Sequence, residues 1–427
     1  MISAACTILL AKDAEWIVDE LEADIPPVVA DGNSPSIQVA VVHQGRIAWS
    51  EAFGEDSSVD HVYMNASVQK TFTAVAILQL VERGLLDLDA DVSQYVPFGI
   101  QHPDFPEIPI TARMLLAHRS GLDEFPHQFG WDTESAFSPR YRPPCPPHLL
   151  NLSTEAFLIA SLTPEGSNYT PGSWISEPDQ EYHYSISAYP FLRYLIGQVS
   201  GQSYDAYMHE NVFIPLGMTG SGFSADAFAE RHVLPYTRIG GENVELPIWN
   251  GQGWMMHTTA EDMARFMLAL MNQGRYGDFD LLQPGMVELL QQSTTIFVED
   301  FQEGGDLPLT GHGLGLFSFR GGWFGNGGSA PGFQCLLRFH PSRGVGYVIL
   351  SNVNAILGSG WELDSVRSDI YTVQDALLSI LDPTLKLRGQ ERRILLLIAT
   401  VSTFLIMVLW IRLSLKRRAR QKEENAA

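Results

Sequence analysis

Runs of apolar residues divide the chain into strand-like segments near its two ends and helix-like segments between them. Residues 37–42 and 47–54 lie on either side of the turn His43-Gln44-Gly45-Arg46, which predicts a β-hairpin. The later strand-like runs, each bounded by Gly or Pro turns, are residues 313–319, 333–339 and 346–352. We therefore expect a mixed α+β fold: one antiparallel sheet whose first and last strands pair, flanked by helices, with a helical subdomain inserted.

Helical spacing of apolar residues marks the segments between these strands. The predicted helices are residues 14–21, 65–84, 111–122, 153–160, 192–201 and 207–216, and one that begins at Thr258 or Thr259. Pro26 and Pro27 predict that the first helix ends before them. Residues 259–262 fit a capping box with an acidic third position. Residues 123–147, rich in Pro and aromatic residues without periodicity, predict a long surface loop and a candidate wall of a substrate cleft.

Residues 394–411 form an apolar run with basic residues at both ends. A helix of this length would span roughly 27 Å, enough for a bilayer core. We predict a transmembrane helix here, with a buried helix as the alternative. The stronger basic cluster follows the run, so the tail 412–427 is expected in the cytoplasm and the large domain outside it. Residues 1–11 are apolar without a basic region; in the absence of a secretory signal the span would insert instead as a tail anchor.

The predicted organisation is an N-terminal segment and helix (1–30), one large domain (31–385), the membrane span and the tail. The formal net charge is −22, and the basic tail leaves the rest still more acidic. Such a body repels phosphate backbones, which argues against a nucleic-acid partner. The three cysteines, Cys6, Cys145 and Cys335, have neither a metal-ligand spacing nor that of a disulfide framework.

Ser67 and Lys70 stand three residues apart at the start of the predicted helix 65–84. This spacing places both side chains on one face of the first turn, where an amine that loses its proton can activate the hydroxyl. A chance pairing is the alternative, because both residue types are common. The lysines of the chain are Lys12, Lys70, Lys386, Lys416 and Lys422, so Lys70 is the one lysine between Glu15 and Asp382. Arginine cannot be deprotonated and lysine can, which favours a catalytic pair.

Two further segments are candidate partners of this pair. Tyr184 precedes an apolar helix and is a candidate proton shuttle, since a phenol beside an ammonium can act as base and then as acid. A tyrosine of the core or cleft rim is the alternative. The glycine-dense segment around Asn326, Gly327, Gly328 and Ser329 is a candidate substrate wall, because glycines allow close approach of a substrate to backbone N–H groups. A plain glycine-rich turn is the alternative there.

In their order along the chain, these pieces resemble the serine β-lactamase-like superfamily, in particular class C β-lactamases, D-alanyl-D-alanine carboxypeptidases and related esterases. The resemblance runs from about residue 37 to about residue 352 and includes residues 115–122, 214–218 and 258–266. It implies a β-lactamase/transpeptidase-like fold with Ser67 as the acylated nucleophile, Lys70 as its proton partner and Tyr184 as general base and acid. It also implies an oxyanion hole made by the backbone N–H groups of Ser67 and Ser329, and neither a metal nor an organic cofactor.

The chain departs from the family's pattern at two positions. Ile186 stands where the β-lactamases and peptidases usually carry an Asn that holds the substrate amide, and Asn326 stands where they carry Lys or His. Both changes argue against a β-lactamase more strongly than they argue against a hydrolase that works by acyl transfer. We therefore predict a serine hydrolase for an ester or small-amide substrate, with Ile186 in the substrate site. The alternatives are a D-amino-acid peptidase or penicillin-binding-type enzyme, and a non-catalytic membrane-anchored binding protein.

Overall fold

The computed structural model describes residues 14–55, 57–123, 152–248, 255–301, 307–354 and 360–382. The predicted membrane span and tail, and all of the predicted loop after residue 123, lie outside these residues. Within the described part of the chain, no helix is both long and apolar enough to cross a membrane. The chain divides into two compact units, residues 1–377 and 378–427, and the sheet and the site described below belong to the first.

The main sheet contains eight strands among the described residues: β1 Ser36–His43, β2 Arg46–Gly54, β9 Thr295–Phe301, β10 Leu309–His312, β11 Phe317–Phe319, β12 Trp323–Ala330, β13 Phe333–His340 and β14 Val345–Ser351. Their order in the sheet is β2-β1-β14-β13-β12-β11-β10-β9. Every pair of neighbours is antiparallel. Strand β1 pairs with β14, with Ile37 opposite Ser351, so the predicted pairing of the first and last strands is confirmed.

Helices cover both faces of this sheet. The helices are α1 Ala14–Ala30, α2 Gln69–Glu82, α3 Ala112–Leu116, α4 Thr154–Leu162, α5 Ala188–Ser200, α6 Tyr204–Met208, α7 Ile214–Leu216, α8 Ala260–Met271, α9 Pro284–Gln291 and α10 Gly360–Leu381. Neighbouring residues of a strand point to opposite faces. In β14, Gly346 faces Met267 of α8, whereas the Tyr347 hydroxyl donates to Gln374 of α10 at 3.0 Å. Because both faces are covered, all residues of β1, β13 and β14 are buried, and these strands are largely apolar.

Shorter strand pairs complete the fold. These strands are β3 Tyr63–Met64, β4 Tyr236–Ile239, β5 Glu242–Glu245, β6 His257–Thr258, β7 Arg275–Tyr276, β8 Phe279–Asp280 and β15 Val353–Asn354. The β3–β6 pair matters most for the site, because it fixes the chain just before Ser67 against the segment that leads into α8. The predicted cap of α8 is confirmed: the Thr259 side chain accepts the N–H of Asp262 at 3.2 Å.

Helix α2 lies inside the protein, between the sheet layer and the other helices. Every residue from Lys70 to Leu80 is buried, so the helix has no solvent-facing stripe. The ring of Phe72 stacks on that of Phe266 in α8, with centroids 3.7 Å apart. Gly84, in the left-handed region at φ 68°, ends the segment as the sequence predicted.

The predicted end of the first helix was wrong. Helix α1 continues through Pro26 and Pro27 to Ala30. Ile17, Leu21 and Ile25 recur every four residues and are all buried, so the packing of this stripe outweighs the hydrogen bonds that the two prolines remove.

Other predicted helices and strands also differ from those in the structure, because the backbone turns at positions where the apolar pattern of the sequence continues. The helix predicted over 111–122 ends at Leu116, since His118 takes a left-handed φ of 56°. The strand predicted over 313–319 begins at Phe317, after Gly315 at φ 70°. The helix predicted over 207–216 contains a π-helical turn, His209–Phe213.

Candidate active site

Ser67 lies on a tight turn that precedes α2. Ala66, just before it, has a φ of 47°, a left-handed conformation that residues with a Cβ rarely adopt. Residues Ala66–Val68 form a 3₁₀ turn, and Asn65 before it is fully buried, with its N–H bonded to the Met256 carbonyl at 3.0 Å. Strained backbone of this kind persists where the surrounding structure holds it in place, and it concentrates at functional sites.

The structure brings the three predicted catalytic side chains together. Lys70 Nζ donates to Ser67 Oγ at 3.0 Å, and the Tyr184 hydroxyl donates to the same oxygen at 2.9 Å. Lys70 is only 4% exposed, and its Nζ lies 5.0 Å from the centroid of the Tyr184 ring. Two groups that can accept the serine proton, the Lys70 amine and the Tyr184 hydroxyl, therefore lie within hydrogen-bond distance of Ser67 Oγ. This geometry is suited to nucleophilic catalysis.

The glycine-rich strand β12 passes directly beside the Ser67 turn. A Cβ on Gly328 would lie 2.5 Å from the Asn65 carbonyl oxygen and 3.0 Å from the Ser67 nitrogen, so no side chain fits there. This close approach sets the backbone that leads to Ser329 alongside the nucleophile, where N–H groups are needed to stabilise an oxyanion. Ser329 itself is exposed, and its Oγ accepts from Asn354 Nδ2 at 2.6 Å.

The side chain of Asn326 is turned into the protein and is 2% exposed. Its Nδ2 lies 3.3 Å from Thr71 Oγ1 and 3.2 Å from the Gly315 carbonyl oxygen, and its Oδ1 accepts the N–H of Gly327. The amide therefore ties β12 to α2, the helix that follows the Ser67 turn and carries Lys70. Within the predicted substrate wall, residues 326–329, Ser329 lines the cleft.

The cleft in front of Ser67 has a volume of about 100 Å³. Its lining residues are Ala66, Ser67, Gln69, Lys70, Thr73, Ile186, Tyr189, Pro190, Arg193, Met255, Ser329 and Ala330. Ile186 lies in this lining. Most of the surface is apolar, which suits a hydrocarbon group beside the reacting carbonyl.

His118 is a candidate functional residue to which the sequence analysis gave no role. Its carbonyl oxygen accepts the N–H of His183 at 2.8 Å, and its Nδ1 accepts the N–H of Ser185 at 3.0 Å. These are the residues on either side of Tyr184, whose ring lies 4.5 Å from the imidazole, centroid to centroid. One residue thus fixes the backbone that presents the Tyr184 hydroxyl. The only sequence signal was its place in segment 115–122, which carried part of the resemblance.

His118 and a second histidine, His312, form a buried neutral pair behind Tyr184, with ring centroids 5.0 Å apart. Burial lowers the pKa of His118 well below its usual value, and the neighbouring His312 and Lys70 lower it further. Burial also lowers the pKa of His312 to about 3, although a hydrogen bond to Ala117 opposes the shift. Since Nδ1 of neutral His118 accepts a hydrogen bond, its proton is on Nε2. Among the described residues no cluster of His, Cys, Asp and Glu is arranged to hold a metal ion.

Comparisons with known proteins match most of the chain. A family model described as "Beta-lactamase" matches residues 21–360. "Protein flp" of Staphylococcus aureus (strain N315) is 25% identical over 366 residues, which cover 81% of this chain and 64% of that protein. The chain thus spans about 64% of the length of this curated relative.

Two solved structures share the fold. D-amino acid amidase from Ochrobactrum anthropi SV3 superposes with a TM-score of 0.64 at 19% identity, covering 84% of this chain and 98% of the amidase. An octameric penicillin-binding protein homologue from Pyrococcus abyssi superposes with a TM-score of 0.64 at 24% identity, covering 78% of this chain and 73% of that chain. At these identities both likenesses concern the fold.

We predict that His118→Ala lowers the turnover number of the enzyme by about tenfold or more, because Ser185 loses its acceptor and Tyr184 is no longer held. His118→Asn is the matched variant, since an Asn oxygen can accept the same N–H and Asn tolerates the left-handed φ of 56°. It should retain more activity than the Ala variant. Steady-state hydrolysis of an activated ester measures the turnover number of each variant. Equal losses of turnover in His118→Ala and His118→Asn would contradict the prediction.

We also predict that acid destabilises the fold through these histidines. In the unfolded chain they take up protons below a pH of about 6.5. In the folded chain the lowered pKa values keep them neutral, so the unfolded state binds more protons and the free energy of unfolding falls as the pH drops toward about 3. Urea unfolding at pH 7, 6, 5 and 4 should show a shallower fall for His118→Asn, by up to about 1.4 kcal/mol per pH unit. Identical slopes would contradict this.

Proposed function

The chain belongs to the Beta-lactamase family, a family of serine hydrolases, and from that premise we propose that it hydrolyses esters or small amides through a covalent acyl-enzyme on Ser67. The observation that carries the proposal is the pair of hydrogen bonds on Ser67 Oγ, one from Lys70 and one from Tyr184. Both partners are titratable groups that can take the serine proton and return it.

In the first half of the proposed reaction, the unprotonated form of Lys70 or Tyr184 takes the proton of Ser67 while Oγ attacks the substrate carbonyl carbon. The electron pair of the C=O bond moves to oxygen, which the backbone N–H groups of Ser67 and Ser329 stabilise. Collapse of this intermediate breaks the bond to the leaving group. The leaving oxygen or nitrogen then receives the proton that was taken from Ser67, passed on through the Tyr184 hydroxyl, so that the base is again unprotonated.

In the second half, water attacks the acyl carbon and gives its proton to the same base. The acid product leaves, and Ser67 regains its proton. The short distances among the three side chains allow this shuttle without rearrangement of the backbone.

Two residues support esters and small amides over β-lactams. Ile186 lines the cleft but has no polar atom on its side chain to bind a substrate amide. The amide of Asn326 bonds within the protein and offers no positive charge at the position where the family's β-lactamases carry Lys or His. Ester hydrolysis needs the nucleophile and the oxyanion donors but neither of these two groups.

A D-amino-acid peptidase or penicillin-binding-type enzyme is the second candidate. The extent of the likeness to D-amino acid amidase, over 98% of that chain, supports an amide substrate. The two candidates share the acyl-enzyme on Ser67 and differ in the acyl donor that they accept.

The test is the intact mass of the full-length protein after exposure to an activated ester, a fluorophosphonate and a penicillin. We expect a Ser67-dependent adduct with the fluorophosphonate and turnover of the ester, both absent in Ser67→Ala. Lys70→Ala should keep the fold and slow acylation by about 10²–10⁴-fold, since it removes the acceptor 3.0 Å from Oγ. A stable penicillin adduct without ester turnover would favour the second candidate. Folded protein with no adduct from any reagent would overturn the catalytic proposal.

We further propose that residues 394–411 anchor the protein in a membrane as a single span, with the catalytic domain outside the cytoplasm and the basic tail inside. The apolar run and its flanking charges in the sequence support this. Full-length protein should sediment with membranes and resist extraction with alkaline carbonate, whereas a chain that ends at residue 382 should not sediment. Protease protection of a tag on the tail checks the orientation. Full-length protein in the supernatant would contradict the anchor.

A further inference from the structure

Asn354 is a buried residue whose side chain reaches the end of the glycine-rich strand β12. It lies on β15, whose backbone is fixed by parallel pairing with β4, where Asn354 pairs with Thr237. Asn354 is fully buried, and its Nδ2 lies 2.6 Å from Ser329 Oγ and 3.0 Å from the Ala330 carbonyl oxygen. The last two residues of β12 are therefore tied to β15 through one amide group.

The Ala330 carbonyl fixes which way round the Asn354 amide lies. A backbone carbonyl oxygen can only accept a hydrogen bond, so the amide atom beside it must be the nitrogen. The amide oxygen, Oδ1, is buried and has no hydrogen-bond partner among the described residues. An unpaired buried acceptor costs stability, so stability alone does not account for an amide at this position.

This orientation of the amide also sets the direction of the Ser329 hydroxyl. One hydrogen on Nδ2 goes to the Ala330 carbonyl and the other to Ser329 Oγ, which is therefore the acceptor in that bond. The hydrogen of the Ser329 hydroxyl must then point away from Asn354. No acceptor within the described part of the chain takes this hydrogen.

The Ser329 hydroxyl faces the place where the substrate would bind. Ser329 is exposed and lines the catalytic cleft together with Ser67. Strand β11 pairs with β12 only as far as Gly325, so it leaves Ser329 uncovered on that side. The backbone N–H of Ser329 is one of the two donors proposed for the oxyanion. Its hydroxyl belongs to the same residue and is therefore within reach of the same oxygen.

We propose that the Ser329 hydroxyl is a further hydrogen-bond donor to the oxygen of the reacting carbonyl, and that Asn354 is the positioning residue that turns this hydroxyl toward the substrate. Negative charge on that oxygen grows in the transition state, so the donor stabilises the transition state more than the bound substrate. The hydroxyl keeps its proton throughout. This inference rests on the proposed hydrolase function.

The first test measures kcat and KM of the full-length enzyme for an activated ester in Ser329→Ala and Ser329→Thr. Ser329→Ala removes the hydroxyl and keeps the backbone N–H, whereas Ser329→Thr keeps both. We expect kcat to fall about tenfold or more in Ser329→Ala, with a much smaller change in KM, because the donor acts on the transition state. Ser329→Thr should retain most of the activity. Equal losses of kcat in the two variants would contradict the role of the hydroxyl.

Asn354→Asp and Asn354→Leu are a matched pair for the positioning role. At pH 8 the carboxylate and the Leu side chain both lack the N–H that Ala330 accepts, but only the carboxylate can accept the Ser329 hydrogen. We expect kcat of Asn354→Asp to fall to about that of Ser329→Ala, and Asn354→Leu to keep more activity. The difference between Asp and Leu should disappear when each is combined with Ser329→Ala, because no hydroxyl is left to reorient. The same difference in both backgrounds would indicate a purely structural role and overturn the proposal.

The behaviour of the wild type separates this inference from the proposed function. If the wild type and Ser329→Ala turn over the ester equally fast, the hydroxyl donor is overturned while the hydrolase function stands. If the wild type shows no Ser67-dependent turnover, the hydrolase function is overturned. The donor is then measured by the rate at which a fluorophosphonate labels Ser67, since the phosphoryl oxygen requires the same donors. Slower labelling in Ser329→Ala would support the donor, and equal rates or no labelling would overturn it.

Discussion

The hydrogen bond between Lys70 and Ser67 imposes the main physical constraint on this structure. It places an ammonium group, 4% exposed, inside a helix that is buried on all sides. Burying a charge is costly unless nearby groups stabilise it or it gives up its proton. The surroundings of Lys70 meet this requirement with hydroxyl groups and π faces: Nζ lies 5.0 Å from the Tyr184 ring and 5.2 Å from the Tyr189 ring. Among the described ion pairs, no carboxylate is paired with Lys70.

Burial keeps the two histidines behind the site neutral, and the charge of Lys70 adds to this effect. A second positive charge close to Lys70 would raise the cost of the buried ammonium, and both His118 and His312 have lowered pKa values. Because His118 is neutral, Nδ1 keeps its lone pair and can accept the N–H of Ser185. Burial, with the added effect of the Lys70 charge, therefore also preserves the hydrogen bond that fixes Tyr184.

The parts of the site that the sequence predicted are those encoded locally or in a recurring motif. Ser67 and Lys70 are three residues apart, so the 3₁₀ turn that leads into α2 brings their side chains together. Tyr184 is 117 residues from Ser67, and it was found through the order of motifs along the chain. The hydrogen bonds by which His118 holds the chain around Tyr184 depend on contacts between distant elements, and so does the position of Arg193 in the cleft lining. The continuation of α1 through Pro26 and Pro27 depends on such contacts as well. No periodicity or spacing in the sequence reports such contacts, because tertiary packing decides them.

The two departures from the family's pattern have different structural consequences. Asn326 stands where the family's β-lactamases carry a charged residue, and its amide instead forms internal hydrogen bonds that hold β12 against α2. Gly328, which has no side chain, allows the backbone of β12 to contact the backbone of the Ser67 turn. Ile186 removes a polar group from the cleft lining and leaves apolar surface beside the nucleophile.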